Sequence, residues 1–425
     1  MAEQTTRTGS DKGYRTYVLA VLILVYIFNF IDRQILGILA PSIKAELNLS
    51  DADLGWLGGW AFAIFYTLMG VPIAMLADRF NRTWIITVSL AVWSGFTALC
   101  GTATGFWQLF LYRLGVGVGE AGGVAPAYSL ISDYFPPQER SRALAAYSFG
   151  IPVGMALGIL GGGLIAHQIG WRWAFIICGL VGLLLAPLLK LTVREPARGG
   201  LDGVARKVPA AGLGAVFSIL KTKPSFWLLA FGASCSSIMG YGLAFWLPSF
   251  FQRSHGMSLV DTTLFFSAIV FMGGLAGIWL GGWLGDRLGA GNKANYARVP
   301  AFAFLISLPF FVGGVNVSDK ALMFMLFIVP QALSLLWAGP ILSSVQHLVA
   351  PNMRATASAI FLFVNNLIGI GFGTWFLGRL SDFLRAEYGV DSLRYSILYC
   401  LVFYALAAGL FLLASRRLER DWHKA

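Results

Sequence analysis

Charge is what this sequence has least of. Only 12% of its 425 residues are Asp, Glu, Lys or Arg, where a soluble globular chain carries ~25%. That shortage excludes a water-soluble enzyme of two or three ordinary domains. Acidic residues are scarcer still, 20 against 31 Lys and Arg, for a net charge of +11. There are four cysteines and four histidines. Cys100, Cys178, Cys235 and Cys400 all lie inside apolar runs, with no spacing that suits a disulfide framework or a metal cluster. They read as small buried hydrophobes. Neither His-Glu-x-x-His nor Gly-x-Ser-x-Gly occurs, so the sequence offers no catalytic or metal site. Nor is there a sizeable domain outside the apolar runs for a receptor to signal through. What is abundant is apolar surface: 57% hydrophobic residues, 14% aromatics and 50 glycines. That excludes disorder and requires lipid around the chain.

A helix needs ~20 mostly apolar residues to cross ~30 Å of hydrocarbon. Twelve such runs are present, near 16–40, 53–76, 84–103, 106–130, 143–166 and 171–191, then 226–250, 262–284, 297–315, 321–346, 355–377 and 394–414. The sequence therefore predicts an all-α polytopic membrane protein of twelve spans. Its expected parts are a tail (1–15), a six-helix bundle (16–193), a basic linker (194–223), a second bundle (224–414) and a short C-terminal tail (415–425). The first run is long and lacks a small-residue cleavage site, so it reads as an uncleaved span. With the N-terminus inside, 22 Lys and Arg fall in cytoplasmic segments, seven fall outside, and Arg33 and Arg113 lie within spans. The positive-inside rule then puts both termini in the cytoplasm of a cell membrane, a bacterial inner membrane given the short tails.

The halves repeat. After span 2 the chain reads Ala74-Met-Leu-Ala-Asp78-Arg79-Phe-Asn81-Arg82, and after span 8 it reads Gly282-Trp-Leu-Gly-Asp286-Arg287-Leu-Gly289. One motif at the same place in each half indicates two similar bundles facing each other.

These loops resemble the G-x-L-x-D-R-x-G-R signature of the major facilitator superfamily, with Ala74 and Asn81 where glycine is usual. Arg113-Leu-Gly115-Val-Gly117-Val-Gly119-Glu120-Ala121 is similar to its span 4 signature. A narrower likeness is to the spinster family. Asn29-Phe-Ile-Asp32-Arg33 resembles its Asn-Tyr-x-Asp-Arg, and so do the surroundings of Asp133-Tyr-Phe, Arg140-Ser-Arg142, Ile151-Pro152-Val-Gly154 and Val193-Arg194-Glu195-Pro196. The short tails look prokaryotic, and the resemblance implies, from the lysolipids and sphingosine-1-phosphate carried by animal members, an amphipathic or lipid-like substrate.

Charge at mid-bilayer costs at least ~2.5–3.5 kcal/mol on insertion scales. Only Asp32, Arg33, Arg113 and Glu120 lie well within spans, all in the first half. At ~1.5 Å per residue Asp32 and Arg33 stand ~24 Å above the cytoplasmic side and Arg113 ~10 Å in from the outside, at similar depth, with Glu120 two turns further inward. The expected arrangement makes Asp32 the counter-ion of Arg113, with Glu120 lower in the same cavity. Asp32 and Glu120 are then the proton-coupling groups, with protons the only coupling ion and no other cofactor. Arg33 and Arg113 would hold an anionic substrate. The bland alternative, a static charge cluster, is disfavoured because buried pairs are poor stabilisers.

Asp78, Arg79, Asp286 and Arg287 are expected to gate the cytoplasmic side. Tyr26, Tyr147, Tyr241, Trp246 and Trp337 are the aromatics expected to meet substrate, with Trp60, Tyr66 and Phe245 as further candidates. His347 is expected at an interface, and at least one of Asn365 and Asn366 inside the bundle. Gly117-Val-Gly119-Glu-Ala-Gly122 fits a dinucleotide fingerprint but lies mid-span, where small residues serve close helix packing. The same packing is expected of Gly154, Gly158 and Gly162, and of Gly277, Gly281 and Gly285. The reading is a monomeric secondary transporter, proton-coupled and working by alternating access. A carrier of small organic anions or drugs is the alternative, and a transporter-like receptor a more distant one.

Overall fold

The computed structural model describes residues 12–198, 212–289, 292–350 and 353–423. The expected tails and linker fall partly outside these limits, as does the side chain of Asp286. Every described apolar run is helical, because a helix satisfies its own backbone where no water can. Ten stretches are long and apolar enough to span a membrane. One of them, Arg354–Ser415, is two spans folded back at Gly389, whose φ is 54°. The one span left to find, span 4, is Phe106–Glu120 continued by Val124–Tyr134, shortened by its break and its charges.

Several spans are interrupted, and three interruptions share a cause. Proline cannot donate to the carbonyl four residues earlier. Pro126, Pro152 and Pro340 thus leave the carbonyls of Gly122, Ser148 and Leu336 without their helical donor. The breaks lie at 121–123, 149 and 336–337. The fourth span of each half therefore bends at an equivalent place. A π-turn at Leu367–Phe372 interrupts span 11 with no proline near it.

The glycine rows do what their spacing predicts. A Cβ on Gly154 would sit 2.5 Å from the Ile27 carbonyl oxygen, and one on Gly158 2.7 Å from that of Ile31, so spans 1 and 5 touch backbone to backbone. We call the end where the chain begins the tail side and the other the far side. The halves meet on the far side: a Cβ on Gly55 would lie 2.7 Å from Trp375 Cα, and one on Gly59 2.6 Å from the Gly371 carbonyl oxygen. On the tail side Met75, Leu76, Asp78, Arg79 and Phe80 of span 2 are exposed. The molecule is closed on the far side and open on the tail side.

Candidate functional site

Span 1 presents Tyr26, Asn29 and Arg33 along one helical face and turns Asp32 about 100° away from it. Arg33 Nε donates to Glu120 Oε2 at 2.7 Å, and the Glu120 side chain is fully buried. The Arg33 guanidinium also lies 4.6 Å from the ring centre of Tyr66, 4.9 Å from that of Phe62 and 5.0 Å from that of Phe30. Such aromatic faces favour a cation. Glu120 Oε1 has no hydrogen-bond partner, and neither has either amide atom of buried Asn29.

Arg113 is 2% exposed, and its Nε and Nη1 have no hydrogen-bond partner. Its guanidinium lies 5.5 Å from the Phe62 ring centre. The expected Asp32–Arg113 pair does not form: no ion pair within 4.0 Å joins them. Asp32 faces Cys178 Sγ at 4.0 Å, with the Thr97 hydroxyl nearby and Glu120, Arg113 and Arg33 as its charged neighbours. Depth matched Asp32 to Arg113, but azimuth pairs Arg33 with Glu120.

Between the halves lies a cavity of about 530 Å³, its open mouth included. Phe30, Arg33, Gln34, Phe62, Arg113 and Met155 line it from the first half, and Tyr241, Ala244, Phe245, Ile370 and Thr374 from the second. One wall is cationic and the other almost wholly apolar. Tyr241 and Phe245 meet the expectation of cavity-lining aromatics. The other six, Tyr26, Trp60, Tyr66, Tyr147, Trp246 and Trp337, do not line this cavity. Tyr26 and Tyr147 stack on each other, centroids 4.2 Å apart, and border a separate pocket of about 240 Å³ inside the first half, with Asn29. Trp246 is fully buried and donates from Nε1 to the Thr374 carbonyl at 2.8 Å. Trp337 sits at the span 10 break, 6.4 Å from the Phe361 ring. Asn365 is buried and accepts from Ser237 at 2.9 Å, as a bundle-facing amide should. His347 stacks on Trp422, centroids 4.9 Å apart.

Asp78 and Arg79 are exposed. The carbonyls of Ala77, Asp78 and Phe80 accept from the Arg198 guanidinium, which caps the end of span 2. Arg287 is exposed and lies 5.2 Å from the Trp283 ring centre. Beside this loop is a cluster the sequence reading missed. Arg82 is 1% exposed, donates to Glu195 Oε1 at 2.6 Å and to Ser129 Oγ at 2.7 Å, and pairs with Asp133. The Thr83 N–H donates to the other Glu195 oxygen at 3.1 Å. The signal was available, since Arg82, Asp133 and Glu195 all stand in motifs quoted for the family likeness. Asn81, where glycine is usual, caps span 3 by accepting from the Trp84 N–H at 2.9 Å.

The profile of the Major Facilitator Superfamily matches residues 22–374. An "MFS-type efflux pump" of Mycolicibacterium smegmatis is 34% identical over 410 residues, covering 95% of this chain and 93% of that protein. "Protein spinster homolog 1" of Homo sapiens is 30% identical over 444 residues, covering 98% of this chain and 84% of that one. The chain belongs to the major facilitator superfamily, in its spinster branch. A crystal structure of a bacterial homologue of the human lysosomal transporter spinster, inward-facing and unoccupied, superposes with a TM-score of 0.89 at 32% identity, covering 98% of this chain and all of that one. The nucleoside transporter NupG, 13% identical at a TM-score of 0.71, shares the fold alone. The fold and family are those of transporters, not enzymes, so this spinster-type chain is a multi-pass membrane transporter of a small molecule.

Proposed function

We propose that this transporter is proton-coupled, works by alternating access, and carries an anionic amphipathic substrate of lysolipid or sphingolipid type. The observation that carries this reading is Arg113. A guanidinium never deprotonates in a protein, and buried N–H groups left without an acceptor are expensive. Two unpartnered N–H groups of a buried arginine at a cavity therefore favour an anionic head group. The apolar wall of Tyr241, Phe245 and Ile370 then receives the tail.

Coupling follows from the Arg33–Glu120 pair. A proton arriving at Glu120 Oε2 neutralises the carboxylate and ends its charge-assisted bond to Arg33 Nε. Arg33 then turns to the substrate anion beside Arg113. Asp32, on the other face of span 1, is a second proton-accepting carboxylate in the same bundle. By the positive-inside count the tail side is the cytoplasm and the open cavity faces inward. The membrane is then a bacterial inner membrane, with the protein acting as a monomer. The loops that carry Asp78–Arg79 and Asp286–Arg287 engage when that side closes.

The test is thermal shift and proteoliposome uptake, contrasting lysolipids with short organic anions under an imposed pH gradient. Stabilisation and gradient-driven uptake of lysolipids support the proposal. Uptake indifferent to the gradient removes the coupling. A preference for short anions supports the second reading, a carrier of small organic anions or drugs. The efflux-pump relative favours that reading.

A further inference from the structure

Glu120 is fully buried and lines neither the cavity between the halves nor the smaller pocket inside the first half. On the cavity side it is covered. Arg33 holds Oε2, with the rings of Phe30, Phe62 and Tyr66 around the guanidinium. Oε1 is left without a hydrogen-bond partner. Asn29 of span 1 stands beside Glu120, is 1% exposed, and has both amide atoms unpartnered. Asn29 also lines the smaller pocket, with Tyr26 one turn below it, Tyr147 of span 5 and Gly123 at the span 4 break. It is therefore the residue common to the pocket and to Glu120. The rest of the lining carries no hydroxyl, amide or charge. Tyr147 meets the ring of Tyr128 edge to face, centroids 5.4 Å apart, and Tyr128 is exposed.

We infer that this pocket is a proton port separate from the substrate cavity, in which a water bound between Asn29 and Glu120 Oε1 delivers the proton. This rests on the reading of Glu120 as a proton-coupling group. The pocket has room for about one water, and a buried water is held by about three hydrogen bonds. Asn29 offers one donor group and one acceptor, Glu120 Oε1 a second acceptor, and the phenols of Tyr26 and Tyr147 border the same space. The incoming proton binds the water, which passes a proton to Oε1 and is left neutral. One O–H bond breaks on the hydronium and one forms on the carboxyl, whose charge is lost whichever oxygen carries the proton. The proton then need not enter past Arg33, a cation that repels it, nor share a doorway with the substrate anion. Arg33 and Asp32 of span 1, Arg113 of span 4 and Tyr241 of span 7 also face Glu120. None of them lines the pocket.

The experiment is infrared spectroscopy of the full chain in lipid nanodiscs after a rapid drop in pH. The carbonyl band of protonated Glu120 is assigned by its loss in Glu120→Gln. Gly123→Ala puts a methyl group into the pocket. A Cβ there would lie no nearer than 3.4 Å to its neighbours, and the φ of −84° suits alanine. Asn29→Leu removes the amide at similar volume. In both variants the band should appear about tenfold more slowly, the effect of one hydrogen bond lost from the path, and reach its wild-type height. Asn29→Ser, small and polar, should keep the wild-type rate. Should Asn29→Leu not fold, Gly123→Ala carries the test, since it alters no polar group. An unchanged rate in either variant would overturn the port and send the proton past Arg33. Equal slowing in Asn29→Ser and Asn29→Leu would overturn it too, by making Asn29 a packing residue. A wild type with no Glu120 band at any pH would instead sink the coupling reading on which the port rests.

Discussion

The two six-helix halves share a fold and a loop motif, yet they solve the problem of buried polarity differently. The first half holds Asp32, Arg33, Arg113 and Glu120 inside its spans. The second half uses neutral groups at comparable depth: Ser234, Ser236, Ser237, Ser307, Ser344 and Asn365 are all buried. Most of these serines bond a carbonyl within their own helix, as Ser234 does with Ala230 at 2.8 Å and Ser307 with Ala303 at 2.8 Å. Such bonds satisfy a hydroxyl locally and stay intact when helices slide. The charges of the first half reach between helices and depend on where those helices stand. One half thus carries charges whose pairing depends on where its helices stand, the other neutral groups that are satisfied within their own helices.

The largest expected break in that contrast is at the ion pair. Arg33→Ala leaves Glu120 ionised and buried without its partner, which costs ~3–5 kcal/mol when one member of a buried pair is removed. Thermal unfolding should show a large drop. The double variant Arg33→Gln with Glu120→Gln should recover most of it, because neither group then carries charge. Glu120→Gln alone should abolish gradient-driven uptake while substrate exchange without a gradient persists. Loss of both activities to the same extent would make Glu120 a structural residue.

Arg113→Gln comes next. It removes the charge and keeps the polar volume. A hydrogen bond to a charged group contributes ~1.5–3 kcal/mol, so affinity for an anionic amphiphile should fall about ten- to a hundredfold. A neutral amphiphile of the same chain length should bind unchanged, and titration of both ligands reads the difference. Equal weakening of both would move the head group away from Arg113. On the other wall, Ile370→Ala removes three carbons, and about two of them lost as ligand contact at ~0.8 kcal/mol each set the expected effect. Binding of long-chain ligands should weaken about tenfold, and that of short anions hardly at all.

Much of this contrast was legible before any coordinates. Hydropathy and the repeated Asp-Arg loop gave twelve spans in two bundles, because lipid leaves helices as the only satisfied form for such runs. The cost of charge in hydrocarbon singled out the four ionisable residues. Their pairing was not legible. Residue counting gives height along a helix, and Asp32 and Arg113 match in height. It says little about which neighbour each face meets, and Asp32 faces Cys178 of span 6 rather than Arg113 of span 4. A long arginine side chain also covers a full turn of helix, 5.4 Å, so Arg33 reaches Glu120 despite their difference in depth. On the far side Asp51 of span 2 bonds Arg253, Ser381 and Asp382 of the second half, and that tie was hidden because these partners lie 202 to 331 residues away. The Ser50-x-x-Asp53 capping pattern did mark where span 2 begins.

The smallest expected effect sharpens the contrast from outside the membrane, where the second half does carry a working charge. Asp421 follows span 12, and its carboxylate accepts from the backbone N–H of Ser225 at 3.1 Å, tying the C-terminal end of the chain to the start of span 7. Burial pushes this carboxyl up, but the Ser225 N–H and Arg420 outweigh it and hold it below the ordinary carboxylate value. A depressed folded value means the stabilisation is present above the unfolded value and fades as pH falls through the folded one. Asp421→Asn should therefore lower the unfolding midpoint slightly near neutral pH. That gap to wild type should shrink as the pH drops below ~4, the unperturbed Asp value. Uptake should be untouched, since nothing at Asp421 reaches the cavity. A gap that stays constant with pH would show that the side chain acts through packing rather than through its charge.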